Sequence, residues 1–315
     1  MKVVVTGASG HLGSYTVVRL AQLGHEVVAA SRAGALPALP FGVSERPVSI
    51  RALALDLRSD EAVGLLRREL GPDVGLIHLA AWHPPATAST GPTERRELLE
   101  TNVRGTMRVL EAARQPVGAR AVVYSSSFEV YAEPRSGGPI SEAGRLGPLT
   151  DYGATKLAGE DHLMSFGYEE RIRVAALRLP AIYGPGERTA RALPNFLRAV
   201  SRGTRPTILG DGSDLRDQIH VRDAADALVA GLTAPAQGVF NVADGTPHSI
   251  LELAQTAMQL AGMTGAPELR ARQKPRRDFH MSIDRARAEL GFAPATALSA
   301  GMAEELAWMR SEQPG

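Results

Sequence analysis

The chain opens MKVVVTGASGHLGSYTVVRLAQLG: a β-branched run, then glycines at positions 7, 10 and 13, then apolar residues at helical spacing. A strand that turns tightly into a helix brings several free amides to one point, and with the helix dipole they suit a pyrophosphate. Glycine content alone gives this spacing about 0.3 times in a chain of such length, so the strand–turn–helix context carries the reading. Gly7, Gly10 and Gly13, with His11 and Leu12 opening the helix, are the expected cradle of a dinucleotide.

The pattern then repeats. Short apolar runs near 2–6, 26–30, 50–54, 74–79, 119–125 and 173–178 alternate with helical patterns near 11–23, 59–70, 93–115 and 151–167. Strands apolar on both faces and alternating with helices predict an α/β fold, a Rossmann-type doubly wound parallel sheet. After Gly184 come a loop, a helix over 191–202, the turn-rich GDGSD, a helix over 222–232 and a strand over 238–243. Two more helices follow, the first opened by Ser249 with Glu252 three residues later, a capping-box spacing. The expected division is a dinucleotide-binding domain from 1–182 and 222–243 and a small substrate-binding lobe from 183–221 and 244–315.

Composition narrows the chemistry. A net charge of +1 and the lack of a basic tract argue against nucleic-acid partners, and no apolar run reaches membrane-spanning length. With no charged and apolar leader, the expected location is cytoplasmic. The absence of cysteine removes thiolate chemistry, the eight histidines show no ligand spacing, and no metal is expected. No G-x-S-x-G elbow supports a hydrolase.

The second strand ends Ala29-Ala30-Ser31-Arg32. A carboxylate there would accept from a ribose 2′-hydroxyl and repel a 2′-phosphate; Ser31 beside Arg32 suits the phosphate, so NADP is favoured over NAD. Arg32 as a solvated charge stacked on adenine is the alternative. Asp56 and Leu57 are placed to fix the adenine edge, and Leu79, Ala80 and Ala81 to leave room for the adenosine.

Tyr152 and Lys156 stand four apart, on one face of a helix. A phenol is a poor base near neutrality, but a neighbouring ammonium favours its ionised form. With six tyrosines and three lysines (Lys2, Lys156 and Lys274) the spacing arises by chance about 0.06 times. In a chain whose other basic residues are arginine, that lysine is informative, because arginine offers no ammonium of tunable pKa. Ser127, last of three serines after an apolar strand, is the expected third partner for a substrate oxygen. Ser125 is expected on the cofactor side.

These segments resemble the extended short-chain dehydrogenases, the NAD-dependent epimerase/dehydratase family. The likeness runs through TGASGHLG, HLAA, TNVRGT around Asn102, SSSFEVY, YGATK, LRLPAIYGPGE, RDQIHVRD and GVFNVADG. The resemblance implies Ser127, Tyr152 and Lys156 as the catalytic set, with Lys156 also on the nicotinamide ribose and Asn102 among the cofactor contacts. It puts Pro180 to Ile182 beside the nicotinamide and Arg216 on a nucleotide-sugar diphosphate, with Lys274 in place of a second phosphate-gripping arginine. His83 completes the candidate substrate contacts. Ala181 stands where nucleotide-sugar members often carry asparagine, and Phe128-Glu129 replaces the Asp–Glu pair of dehydratases, which disfavours dehydration. The expected function is a nucleotide-sugar 4-epimerase-like enzyme. The alternatives are an NADPH-dependent reductase of a 4-keto sugar or small ketone and, behind it, a non-catalytic NADP sensor. A homodimer through helices near 93–115 and 151–167 is also implied.

Overall fold

The computed structural model describes residues 1–84, 90–132, 138–272 and 275–312. Lys274 lies outside them. Seven strands, all parallel, form one sheet: β1 (Lys2–Thr6), β2 (Glu26–Ser31), β3 (Ile50–Ala54), β4 (Gly71–His78), β5 (Ala119–Ser127), β6 (Arg173–Leu179) and, after four short strands, β11 (Gly238–Asn241). The order across the sheet is β11-β6-β5-β4-β1-β2-β3, reversing between β1 and β4. In such sheets ligands bind beyond the carboxyl ends of the strands at the reversal.

Alternation along each strand explains the two layers. Val3, Val5, Val27 and Ala29 pack towards α1 (His11–Gln22) and α7 (Val221–Thr233). Val4, Val28, Ala30, Leu76 and Val122 pack the other way. They meet α2 (Ala62–Arg67), α4 (Gly105–Ala112) and α5 (Asp151–Glu170). A separate cluster joins α6 (Ala192–Ser201), α8 (Ile250–Leu260) and α9 (Leu298–Ser311) through Leu193, Phe196, Leu197, Leu253, Met302 and Leu306. The Ser249–Glu252 capping box forms at the start of α8, each residue bonding the other's backbone amide. No helix among the described residues is long and apolar enough to cross a membrane.

One helix differs from expectation. The pattern over 93–115 resolves into α3 (Pro92–Leu98), a wide π-helical turn at Leu99–Arg104, and α4. The apolar period runs through the turn, which hides it from the sequence. The turn places Asn102, 1% exposed, where its amide bonds the Trp82 backbone twice (2.7 and 2.9 Å) and the Thr155 hydroxyl (3.1 Å). Short strands at β7 (Ala181–Tyr183) and β10 (Gln218–His220), which pair in parallel, were also beyond the reach of periodicity.

α5 is fastened to the sheet by a buried ion pair. Arg178 on β6 and Glu160 on α5 are each 3% exposed and meet at 2.7 Å, with Ser126 Oγ donating to Glu160 and Tyr131 Oη accepting from Arg178 at 2.9 Å. Removing one member of such a pair strands the other charge away from water. Arg178→Met is therefore expected to lower unfolding free energy by ~3–5 kcal/mol in urea denaturation. A loss below ~1 kcal/mol would contradict this assignment.

Candidate active site

β5 overruns its neighbour. Its register with β4 ends at His78↔Tyr124, while with β6 it continues to Ser127↔Leu179, so Ser125 to Ser127 project past β4 into the crevice. α5 closes over this tip because two of its residues lack side chains. A Cβ on Gly153 would stand 2.4 Å from Glu129 O, and one on Gly159 2.3 Å from Tyr124 Oη. Thr150 caps the helix, its Oγ1 accepting from Gly153 N at 2.9 Å while donating to Glu129 Oε2 at 2.7 Å.

This approach seats Lys156, 2% exposed, with Nζ donating to Ser125 O at 2.7 Å. Nζ lies 4.8 Å from the Tyr124 ring centre and 5.7 Å from that of Tyr152, one helical turn back. Burial pushes the amine down to about 7, with the Glu160 carboxylate opposing. Burial and then Glu129 push the half-buried Tyr152 phenol well up, and Arg191 opposes them. Ser127, 6% exposed, accepts from Glu129 N at 3.2 Å and keeps its hydroxyl hydrogen free to donate.

Tyr152 opens into a cavity of about 440 Å³, whose walls include His83, Phe128, Glu129, Ile182, Arg191 and Arg216. Ser127 is buried just before Phe128 and is not on the cavity wall. The His83 ring leans on the Tyr152 ring (centroids 4.5 Å, tilt 56°). Its Nδ1 lies 2.8 Å from Pro84 O; a carbonyl can only accept, so Nδ1 carries the hydrogen and Nε2 of the neutral ring is an acceptor. Burial lowers the His83 pKa. Arg216 reaches the cavity while donating to Leu215 O at 2.8 Å and to Arg277 O. Pro180 is buried at the β6–β7 junction, behind Ala181 and Ile182, and does not line the cavity.

A second groove, about 380 Å³, gathers Gly7, Gly10, Ser31, Arg32, Asp56, Leu57, Leu79, Ala80 and Ala81. Its floor demands glycine: Gly7 has φ +72°, and a Cβ there would lie 2.6 Å from Ala80 N, while one on Gly13 would lie 2.2 Å from Gly7 O. Ser31 Oγ is buried with no hydrogen-bond partner among the described residues. These features fit the adenosine and pyrophosphate of a dinucleotide. Asp56 is held by Arg58 at 2.7 Å, which brings its pKa to about 2. The His11 side chain turns away from the groove to Pro185 O (3.1 Å) and Glu187 (3.6 Å), leaving the helix amides as its contribution. Asn102 likewise holds the Trp82 loop and does not line the groove.

A buried relay ties Thr6, on the groove wall, through the end of β4 to Thr106 on α4. Thr106 Oγ1 donates to Asn102 O (2.6 Å), so it accepts from His78 Nε2 (3.0 Å), and His78 Nδ1 accepts from Thr6 Oγ1 (2.7 Å). Burial holds His78 at about 3, neutral throughout the physiological range. Residues 78, 106, 129, 150 and 191 carried no assigned site role in the sequence reading, since strand ends and loop lengths decide what faces a cavity.

A doubly wound sheet with a dinucleotide groove, and a tyrosine and buried lysine at its crevice, defines a nicotinamide-dependent enzyme of the extended short-chain dehydrogenase class. The family model for the NAD dependent epimerase/dehydratase family matches residues 3–243, and the chain belongs to that family. It is 34% identical over 323 residues to a UDP-glucose 4-epimerase of Mycolicibacterium smegmatis, covering 99% of each chain. It is also similar to the solved structures of MoeE5 with UDP-glucose and NAD, and with UDP-glucuronic acid and NAD. Each is 33% identical with a TM-score of 0.82, covering 99% of this chain and 99% or 100% of the other.

The depressed lysine gives a pH signature. Between a folded pKa of about 7 and the free value of 10.5, the unfolded chain binds the proton and the folded chain does not, so stability rises with pH across that window. The stability of cofactor-free protein relative to Lys156→Met is expected to climb by up to ~1.4 kcal/mol per unit between about pH 7 and pH 10. A pH-independent difference in denaturant titrations would contradict the burial of a neutral amine.

Proposed function

We propose that the protein is a nucleotide-sugar 4-epimerase that retains its dinucleotide through the catalytic cycle. The observation that carries this reading is the seat of Tyr152 and Lys156: one helix face, closed onto the β5 tip, open to a sugar-sized cavity. A bound nicotinamide would supply the hydride acceptor and donor for the sugar C4.

The protein's part is proton transfer and positioning. Tyr152 Oη takes the C4 hydroxyl proton during oxidation and gives it back on reduction. Lys156 lowers the cost of the phenolate when it carries its proton, and the positive charge of an oxidised nicotinamide would do the same. Ser127, set back from the cavity wall, accepts from Glu129 N and so holds the Phe128–Glu129 turn beside the sugar, and Arg216 takes the diphosphate. Phe128 supplies no acid for water elimination, so the 4-keto sugar keeps its C6 substituent. Gly7, Gly10 and the amides of His11, Leu12 and Gly13 would hold the pyrophosphate.

For the cofactor we propose NAD, in place of the NADP expected from Ser31 and Arg32. The MoeE5 structures, 33% identical, contain NAD. The buried Ser31 Oγ offers a hydroxyl-scale partner for ribose, and the Arg32 side chain is exposed rather than folded over it. The MoeE5 complexes hold a neutral and an acidic UDP-sugar, so both are candidates here.

Incubation with a UDP-hexose or UDP-hexuronate and catalytic NAD is expected to give both C4 epimers with no lasting NADH absorbance. Tyr152→Phe is expected to lower kcat by ~10²–10⁴-fold. Turnover that consumes one NADPH per product would establish the reductase instead, and an unaltered output from Tyr152→Phe would remove the enzymatic reading.

A further inference from the structure

Two arginines line the sugar cavity, and their surroundings differ. Arg216 is committed to main-chain carbonyls, lies 3.7 Å from Asp214, and is balanced by Asp214 and Asp278. Arg191 is half-buried, and among the described residues no hydrogen bond or ion pair reaches its guanidinium. It is the N-cap residue of α6, yet its side chain makes no capping bond, so the helix does not need it. The carboxylate on the same cavity wall, Glu129, is engaged by Thr150 Oγ1 at 2.7 Å.

The two cations also sit at different ends. The charge of Arg191 acts on the Tyr152 phenol and on the His83 ring, whereas the groups that act on Arg216 are Asp214, Asp278, Arg277 and Arg272. Arg191 therefore belongs to the reacting end and Arg216 to the far end, where a diphosphate would lie. A guanidinium on the cavity wall with no anion from the described residues is open to one from a ligand, and its planar fork matches a carboxylate. On a hexose reacting at C4, the neighbouring carbon C5 carries C6, and C6 is the position that bears a carboxylate in a uronic acid.

We propose that Arg191 receives the C6 carboxylate of a nucleotide-linked hexuronic acid, making this enzyme selective for acidic over neutral sugars. The proposal rests on the nucleotide-sugar epimerase reading and narrows its substrate class. Arg191 is then a binding and specificity residue, while proton transfer stays with Tyr152.

Calorimetric titration of NAD-loaded Tyr152→Phe protein, which holds substrate without turning it over, tests this. The ligands are UDP-glucuronate, UDP-glucose and UDP. UDP-glucuronate is expected to bind about 10- to 100-fold more tightly than UDP-glucose, the range of a hydrogen-bonded charge pair. Adding Arg191→Gln should abolish that preference and leave UDP affinity unchanged, while Arg191→Lys should retain part of it. Circular dichroism and thermal melting of the Arg191 variants should match the parent, since no cap is lost. Equal affinity for the two sugars overturns the proposal. So does an Arg191→Gln loss shared equally by all three ligands, which would put the guanidinium on the diphosphate. Failure of all three ligands, UDP included, to bind would remove the nucleotide-sugar reading itself.

Discussion

Burying the amine of Lys156 against the Ser125 carbonyl opposes its charge, and the fold holds it there because α5 cannot retreat. Gly153 and Gly159 let the helix lie within side-chain distance of the β5 tip. The Glu160–Arg178 pair fastens its middle to β6, and Thr150 fixes its first turn to Glu129. Each contact serves the same end: a lysine whose pKa sits near neutrality and a tyrosine one turn away, facing a cavity instead of solvent. An amine so placed responds strongly to nearby charge, because little water screens it. Charge brought by a bound cofactor or substrate would therefore shift the proton balance of the pair.

The positions of these groups follow from strand length. β4 stops at His78 while β5 runs on to Ser127, and the mismatch creates the shelf on which Ser125 to Ser127 and Tyr152 meet. The His78 relay keeps the end of β4 in place without carrying charge. Its directionality is set by which oxygens can accept, so the imidazole acts as a rigid spacer between Thr6 and Thr106. Residues beyond Gly184 contribute a wall of the same cavity through Arg191, Leu193, Arg216 and Leu253, so in the proposed reading sugar selectivity and proton transfer fall to different parts of the chain.

Much of this was legible in the sequence. The parallel sheet, the glycine cradle and the Tyr152–Lys156 pair follow from short apolar runs, fixed glycine spacing and one lysine in an arginine-biased chain. These are local signals, and each is imposed by backbone sterics or by helical periodicity. The unread features are those set by tertiary approach. The π-helical turn at Leu99–Arg104 preserves an ordinary apolar pattern, and the two-residue β9 strand (Leu215–Arg216) lies below the length at which alternation is readable. Arg191 is one arginine among many, and that no described residue pairs its guanidinium becomes visible only once its neighbours are packed around it. Asn102 and His11 show the converse: residues inside recognisable motifs whose side chains the fold uses to hold loops, not to line the groove.

The central claim is that Tyr152 and Lys156 support a reversible hydride transfer at one sugar carbon, with the hydride kept inside the protein. Isotope tracing reads that directly. With UDP-sugar deuterated at C4 and turned over in ordinary water, the account predicts that both epimers retain the deuterium at C4, with a primary isotope effect on the rate. Replacement of the label by solvent hydrogen at C4, or exchange at C5 in heavy water, would contradict it.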